Sequence, residues 1–356
     1  MSNDPPLSSE TTARRPRAIV LGCSGERLTA AEARFFAAAD PAGFVLFRRN
    51  CRAPDQVRAL VTALRDCIGR PDAPVLIDQE GGRVARLRPP GWRDYPAAGT
   101  LAALPERRAE EAVRLAARLI AEDLAALGIT VDCAPVLDLP TADADPVIGD
   151  RAYGDDPART ARLGHAFCDG LLEGGVLPVV KHIPGHGRAR ADSHRECPVV
   201  EAPRDLLART DFAPFRALAG MPWAMTAHVV FAAIDSAAPA TLSRRVISEV
   251  IRSEIGFAGV LISDDVSMGA LCGSLGSRVR DALAAGCDLV LHCNGDMDEM
   301  QEVAAAARPL SVEGAARLDR AEQGRRASPG DFDRKAAEAR FAGLLSGVRV
   351  REPASG

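Results

Sequence analysis

The sequence predicts an α/β protein folded as a single (β/α)8 barrel of the TIM type, and three observations predict it. Eight short β-branched or apolar runs recur along the chain. Each is followed by a longer stretch in which apolar residues return at three- and four-residue spacing, the mark of repeated βα units around a parallel sheet. Polar residues gather where the runs end, which is where barrels of this kind carry their chemistry. An open doubly wound sheet shares the alternation, but no GxGxxG follows the first run as a dinucleotide-binding half requires.

In order, the runs are RAIVLG (17–22), GFVLFRR (43–49), APVLIDQ (73–79), ITVDCAPVLDL (129–139), VLPVVKHI (176–183), WAMTAHVV (223–230), GVLISDDV (259–266) and DLVLHCN (288–294). Helical periodicity fills the intervals 29–39, 54–68, 105–128, 157–173, 204–218, 245–255, 278–285 and 298–307. Several of these open on a capping residue or an early proline, as Thr29 and Pro54 do. No linker, composition break or charge run interrupts residues 17–345, so one catalytic domain is expected there. Residues 1–16 and 346–356 read as disordered tails.

Hydrophobic residues make up 47% of the 356-residue chain and charged ones 26%, enough for a sizeable core and too apolar for wholesale disorder. A net charge of −4, with no basic stripe, argues against nucleic acid as a partner. No apolar run is long enough to insert in a membrane, and residues 1–16 lack the apolar centre of a secretory signal. A cytoplasmic location is therefore expected, and the protein is expected to be a monomer. Nine cysteines, an odd number without CxxC spacing, suit reduced buried thiols better than disulfides or a zinc site.

The polar residues point to chemistry. Strand three closes in Asp78, five in Lys181 and His182, six in His228, seven in Asp264 and Asp265, and eight in His292 and Asn294, so all are expected at one mouth. The loop after strand four, DADPVIGDRAYG, brings Arg151 to the same face. The loop VKHIPGHGRARADSHRECP (180–198) holds three of the six histidines, His182, His186 and His194, and one of only two lysines in a chain that otherwise uses arginine. A compact ammonium at Lys181 suits a tight polar site better than a broad guanidinium. So many histidines tempt a metal reading, but neither HxH nor HExxH is present, and no metal is expected. A serine hydrolase would need a G-x-S-x-G elbow, which is also missing. A glycosidase needs one carboxylate beneath the anomeric carbon and a proton donor above it. Asp264, at the end of a buried strand, and His194, far along a loop containing Pro184, Gly185 and Gly187, can fill those roles.

Three segments, LIDQEGGRVARL (76–87), KHIPGHGRARADSH (181–194) and SDDVSM (263–268), together resemble the binding segment, signature loop and nucleophile segment of glycoside hydrolase family 3. The resemblance is to the family's single-domain bacterial β-N-acetylglucosaminidases. It extends through VIGDRAYG, MTAHVVF, PATLSRRVISEVIRSEIGF and LAAGCDLVLHCNG, covering about residues 17–310. It implies that Asp264 is the nucleophile, His194 the general acid/base and Asp192 its partner. Asp78, Arg86, Arg151, Lys181 and His182 would hold the sugar. Asp265 and Glu80 receive no chemistry, and His186, His228 and Asn294 stay auxiliary. The implied activity is retaining, exo-acting removal of terminal N-acetylglucosamine from cell-wall muropeptides during peptidoglycan recycling, without a cofactor. Phosphorolysis on the same scaffold, a metal-dependent barrel hydrolase and a non-catalytic sugar-binding barrel are the alternatives.

Overall fold

In a computed structural model, which describes residues 15–326 and 332–346, the eight runs become eight parallel strands closed into one barrel. They are β1 (Arg17–Gly22), β2 (Pro41–Leu46), β3 (Val75–Ile77), β4 (Val131–Asp132), β5 (Leu177–Ile183), β6 (Trp223–Thr226), β7 (Val260–Asp265) and β8 (Leu289–His292). Each pairs with its neighbours in sequence, and β8 closes on β1 with Ile19 opposite Val290 and Leu21 opposite His292. The tails expected over 1–16 and 346–356 lie outside the described residues, apart from residues 15, 16 and 346.

The runs read as continuously apolar because these strands are buried on both faces, one filling the barrel and the other covered by helices. Every residue of β2 and β5 is buried. The first helix, Ala30–Ala39, starts where Thr29 and Glu32 exchange capping hydrogen bonds, the Glu32 amide donating to Thr29 Oγ1 and the Thr29 amide to Glu32. The helix expected over 204–218 is instead two, Arg204–Arg209 and Phe212–Ala217. Pro214 has no N–H and fits only a first helical turn, so a new helix begins just before it. The segment expected to be helical over 245–255 is a π-helix, Val246–Glu254. Beyond Met297–Ala306 come two more helices, Val312–Arg326 and Arg334–Leu345, which the periodicity up to 307 does not anticipate.

Several runs outlast their strands because the chain leaves the barrel early to build the mouth. The fourth run pairs only at Val131–Asp132, with one further bridge from Val136 to Lys181 past Pro135. After β3 the chain folds into a small antiparallel hairpin, Gln79–Gly81 with Val84–Ala85. After β5 and β6, Val199–Val200 and Val230–Phe231 pair in parallel, tying down the far end of the His194 loop.

Candidate active site

At the C-terminal ends of β3 and β5 the structure joins five charged side chains into one chain of ion pairs. Arg86 Nη2 lies 2.9 Å from Asp78 Oδ2, and Lys181 Nζ lies 2.9 Å from Asp78 Oδ1 and 2.7 Å from Glu80 Oε1. Arg151 grips Glu80 with two donors, Nε to Oε2 at 2.9 Å and Nη2 to Oε1 at 2.8 Å. Burial opposes ionisation of Glu80, but Arg151 and Lys181 outweigh it and hold its carboxyl down at about 2. Burial likewise works against Asp78, and Lys181 and Arg86 prevail and depress it well below the usual range. Buried charges survive only when paired in this way.

The hairpin after β3 explains how Arg86 comes back over Asp78. Gly81 and Gly82 take φ of +96° and +57°, and a Cβ on Gly81 would stand 2.5 Å from the Pro96 carbonyl oxygen, so the turn requires glycine. Gln79 then closes it, its Oε1 accepting from the amides of Arg86 (2.9 Å) and Leu87 (3.0 Å) while its Nε2 donates to the Leu87 carbonyl. The Arg86 guanidinium also lies 4.9 Å from the Phe47 ring centre.

A second cluster joins β5 to β7. Asp138 is fully buried and accepts three hydrogen bonds, from His182 Nδ1 (2.7 Å), the His182 amide (3.2 Å) and the His186 amide (2.7 Å). His182 is thereby turned so that Nε2 stands 4.0 Å from Asp264 Oδ2. Burial opposes ionisation of Asp264, but His182, His228 and the Asp265 amide prevail and keep its carboxyl below the ordinary carboxylate range. His228 is buried and lies between Thr241 Oγ1 (2.7 Å from Nδ1) and the Asp265 carbonyl (3.0 Å from Nε2), which steadies the end of β7. Asp265, the last residue of β7, braces the turn that follows, its carboxylate accepting from the amide and hydroxyl of Ser267.

His194 and Asp192 stand apart from this buried base. His194 Nδ1 is 2.7 Å from Asp192 Oδ1, which also accepts from the His194 amide at 2.9 Å, and the imidazole is 62% exposed. The loop backbone nevertheless lies against the segment after β7. The amides of Gly269 and Ala270 donate to the carbonyls of His194 and Ser193, both at 3.1 Å. A Cβ on Gly269 would come within 2.6 Å of the Arg195 carbonyl oxygen, so this docking needs glycine there. The loop carrying the imidazole is thus bonded to the chain that has just left Asp264.

The structure brings together Asp78, Arg86, Arg151, Lys181, His182 and Asp264, with Asp192 and His194 on the neighbouring loop. His292 and Asn294, expected at the same mouth, instead both bond Glu299 and tie β8 to the helix Met297–Ala306. Sequence reasoning missed Asp138 and Gln79 and left Glu80 without chemistry. Asp138 closes the fourth run as Asp78 closes the third, so its position was the available signal.

Asp132, at the end of β4, is also new. Its Oδ1 accepts from the Gln79 amide at 2.9 Å, while its buried Oδ2 has no partner among the described residues. Burial pushes its carboxyl up to about 8, against the effects of the Gln79 amide and Lys181. Because the folded form keeps a proton that the unfolded form releases above about 4, folding stability falls as pH rises from about 4 to about 8 and levels off above, by up to about 1.4 kcal/mol per pH unit from this group. Asp132→Asn should flatten that slope. Unfolding free energies at pH 5 and pH 8 check it, the difference between the two shrinking in the variant.

The comparisons with known proteins bear on the same residues. Residues 19–323 match the family described as glycosyl hydrolase family 3 N terminal domain. The chain belongs to glycoside hydrolase family 3. This family 3 chain is 41% identical over 283 residues to a β-hexosaminidase of Alkalilimnicola ehrlichii, covering 78% of this chain and 80% of the relative. It is 40% identical over 305 residues to a β-hexosaminidase of Pseudomonas aeruginosa, covering 85% and 90%. Among solved structures, NagZ from Neisseria gonorrhoeae in complex with N-trifluoroacetyl-D-glucosamine superposes with a TM-score of 0.83 at 32% identity, covering 94% of this chain and 99% of that one. A family 3 β-N-acetylglucosaminidase from a Paenibacillus species also reaches 0.83, at 30% identity, covering 92% of this chain and 66% of the other. The chain is a glycoside hydrolase with the NagZ-type barrel, as its three motifs led one to expect.

Proposed function

We propose that this family 3 hydrolase is an exo-acting, retaining β-N-acetylglucosaminidase that removes terminal N-acetylglucosamine from cell-wall muropeptides during peptidoglycan recycling in the cytoplasm, as a monomer and without a cofactor. The observation that carries the reading is the pairing of a fixed carboxylate with a separately mounted imidazole. Asp264 is held at a strand end beside His182, and the exposed Asp192–His194 pair rides on a loop bonded to the segment after Asp264. The name of the Pseudomonas relative and the sugar analogue in the gonococcal NagZ structure support the choice of sugar.

In this reading Asp78 and Arg86, at the open end of the ion-pair chain, take ring hydroxyls of the terminal sugar. Two of the three Lys181 N–H groups are committed to Asp78 and Glu80, and the third serves the substrate. Arg151, engaged by Glu80, sets the position of that group, and His182 adds a donor or acceptor beside the reacting carbon. Asp264 stays ionised at neutral pH and attacks the anomeric carbon as the glycosidic bond breaks, while His194 gives its proton to the departing oxygen. Water then attacks the glycosyl ester, His194 takes its proton, and Asp264 leaves as carboxylate. Asp192 orients the imidazole in both halves.

The test is incubation with a chromogenic β-N-acetylglucosaminide, with and without inorganic phosphate. Free N-acetylglucosamine is expected as the sugar product in both. The sugar 1-phosphate as product would move the enzyme to phosphorolysis, and no release of aglycone at all would remove the activity.

A further inference from the structure

Within the loop that carries His194, one side chain turns inward among accessible neighbours. Asp192 and His194 are accessible, whereas Ser193 between them is 4% exposed. Its hydroxyl points inward to His186 Nε2 at 3.0 Å. His186 is itself buried, its ring Nδ1 has no partner among the described residues, its backbone amide donates to Asp138 and its carbonyl accepts from the Ala189 amide. Asp138 is the carboxylate that also fixes His182, the ring beside Asp264. The rings of His182 and His186 have their centres 5.7 Å apart.

We propose that His186 is a positioning residue for the Asp192–His194 pair, acting through Ser193, so that one buried carboxylate, Asp138, fixes both halves of the catalytic apparatus. The proposal rests on the reading of His194 as acid/base. Two anchors hold the loop at this point. Its backbone is bonded to Gly269 and Ala270, which sets its height over the mouth. The Ser193–His186 bond fixes its rotation, because it holds Ser193 inward while the neighbouring Asp192 and His194 stay accessible. Burial keeps the His186 ring far down the scale, at about 4, with His182 adding to the effect, so it is neutral across the working range and takes no part in proton transfer. Without the bond the backbone anchors remain, but the imidazole loses its fixed angle to the glycosidic oxygen, and misplacement of a proton donor is costly.

The test compares Ser193→Ala, His186→Gln, the double variant and His194→Ala on aryl β-N-acetylglucosaminides whose leaving groups run from 2,4-dinitrophenolate to unsubstituted phenolate. An acidic leaving group needs no proton, so loss of the donor shows mainly at the basic end of the series. Ser193→Ala and His186→Gln are each expected to lose about tenfold in kcat/KM on the phenyl glycoside and less than about twofold on the dinitrophenyl one, and the double variant no more than either alone. A merely structural role would lower all substrates alike. That uniform loss, or losses that multiply in the double variant, would overturn the proposal. A steep series in His194→Ala beside a flat one in both Ser193→Ala and His186→Gln would overturn the positioning role alone. A flat series in His194→Ala would overturn the acid/base reading and the positioning role with it.

Discussion

Asp264→Ala is expected to lower kcat by a factor on the order of 10⁴ to 10⁶, the range seen when a catalytic nucleophile is deleted. Its affinity for N-acetylglucosamine should stay within a few-fold of the parent. The carboxylate sits at the end of β7, 20% exposed, so its removal leaves a small space at a surface already open to the mouth. The contacts it makes are few. Its Oδ1 accepts from the Asp265 amide at 2.8 Å, and His182 stands 4.0 Å away, itself held independently by Asp138. The fold and the sugar-holding groups therefore persist while the covalent step has no partner. Asp265→Asn should be much milder, because Asp265 spends its carboxylate on Ser267. Parent-like turnover in Asp264→Ala, or the larger loss in Asp265→Asn, would exchange the roles of the two.

Lys181→Met is expected to cost about 3–5 kcal/mol of folding stability, the usual price of stranding buried partners, and to abolish detectable activity. Lys181 is 3% exposed and, among the described residues, is the one group that pairs with both Asp78 and Glu80. Burial alone would lower its pKa, yet the two carboxylates raise it, so it is charged at every relevant pH. In its absence Asp78 keeps Arg86 and Glu80 keeps Arg151 as cationic partners among the described residues. The pH signature follows from the sign of the shifts. A carboxylate depressed in the folded state contributes stability that is full above its unfolded value near 4 and lost as pH falls through the folded value, about 2 for Glu80. Lys181→Met should raise both folded values, so its deficit is largest above pH 4.5 and narrows on acidification towards pH 2. Urea unfolding at pH 7 and pH 3.5 measures it, and an equal deficit at both would contradict the network.

The barrel was legible because parallel strands buried on both faces leave uninterrupted apolar runs, and eight of them survive as β1 to β8. Strand-end polarity found Asp78, Lys181, His182 and Asp264 for the same reason, since a polar residue closing such a run faces the mouth. It failed at His292 and Asn294, because strand position cannot say that Glu299, in the first turn of the next helix, will take both. It also passed over Asp138, which lies beyond the short β4 at the end of a run that has already left the sheet. Glu80 and Gln79 were hidden by the hairpin after β3, where two glycines at positive φ turn the chain back on itself. Pairings set by such turns are non-local, so the ion-pair chain from Arg86 to Arg151 is visible only in three dimensions.

Retention of anomeric configuration tests the two-displacement reading most directly. Proton spectra of the sugar first released from a β-linked N-acetylglucosaminide, taken before mutarotation, distinguish the outcomes. Attack by Asp264 from one face followed by water along the same path predicts β-N-acetylglucosamine as the first product. First-formed α-N-acetylglucosamine would mean a single displacement by water and would contradict Asp264 as nucleophile.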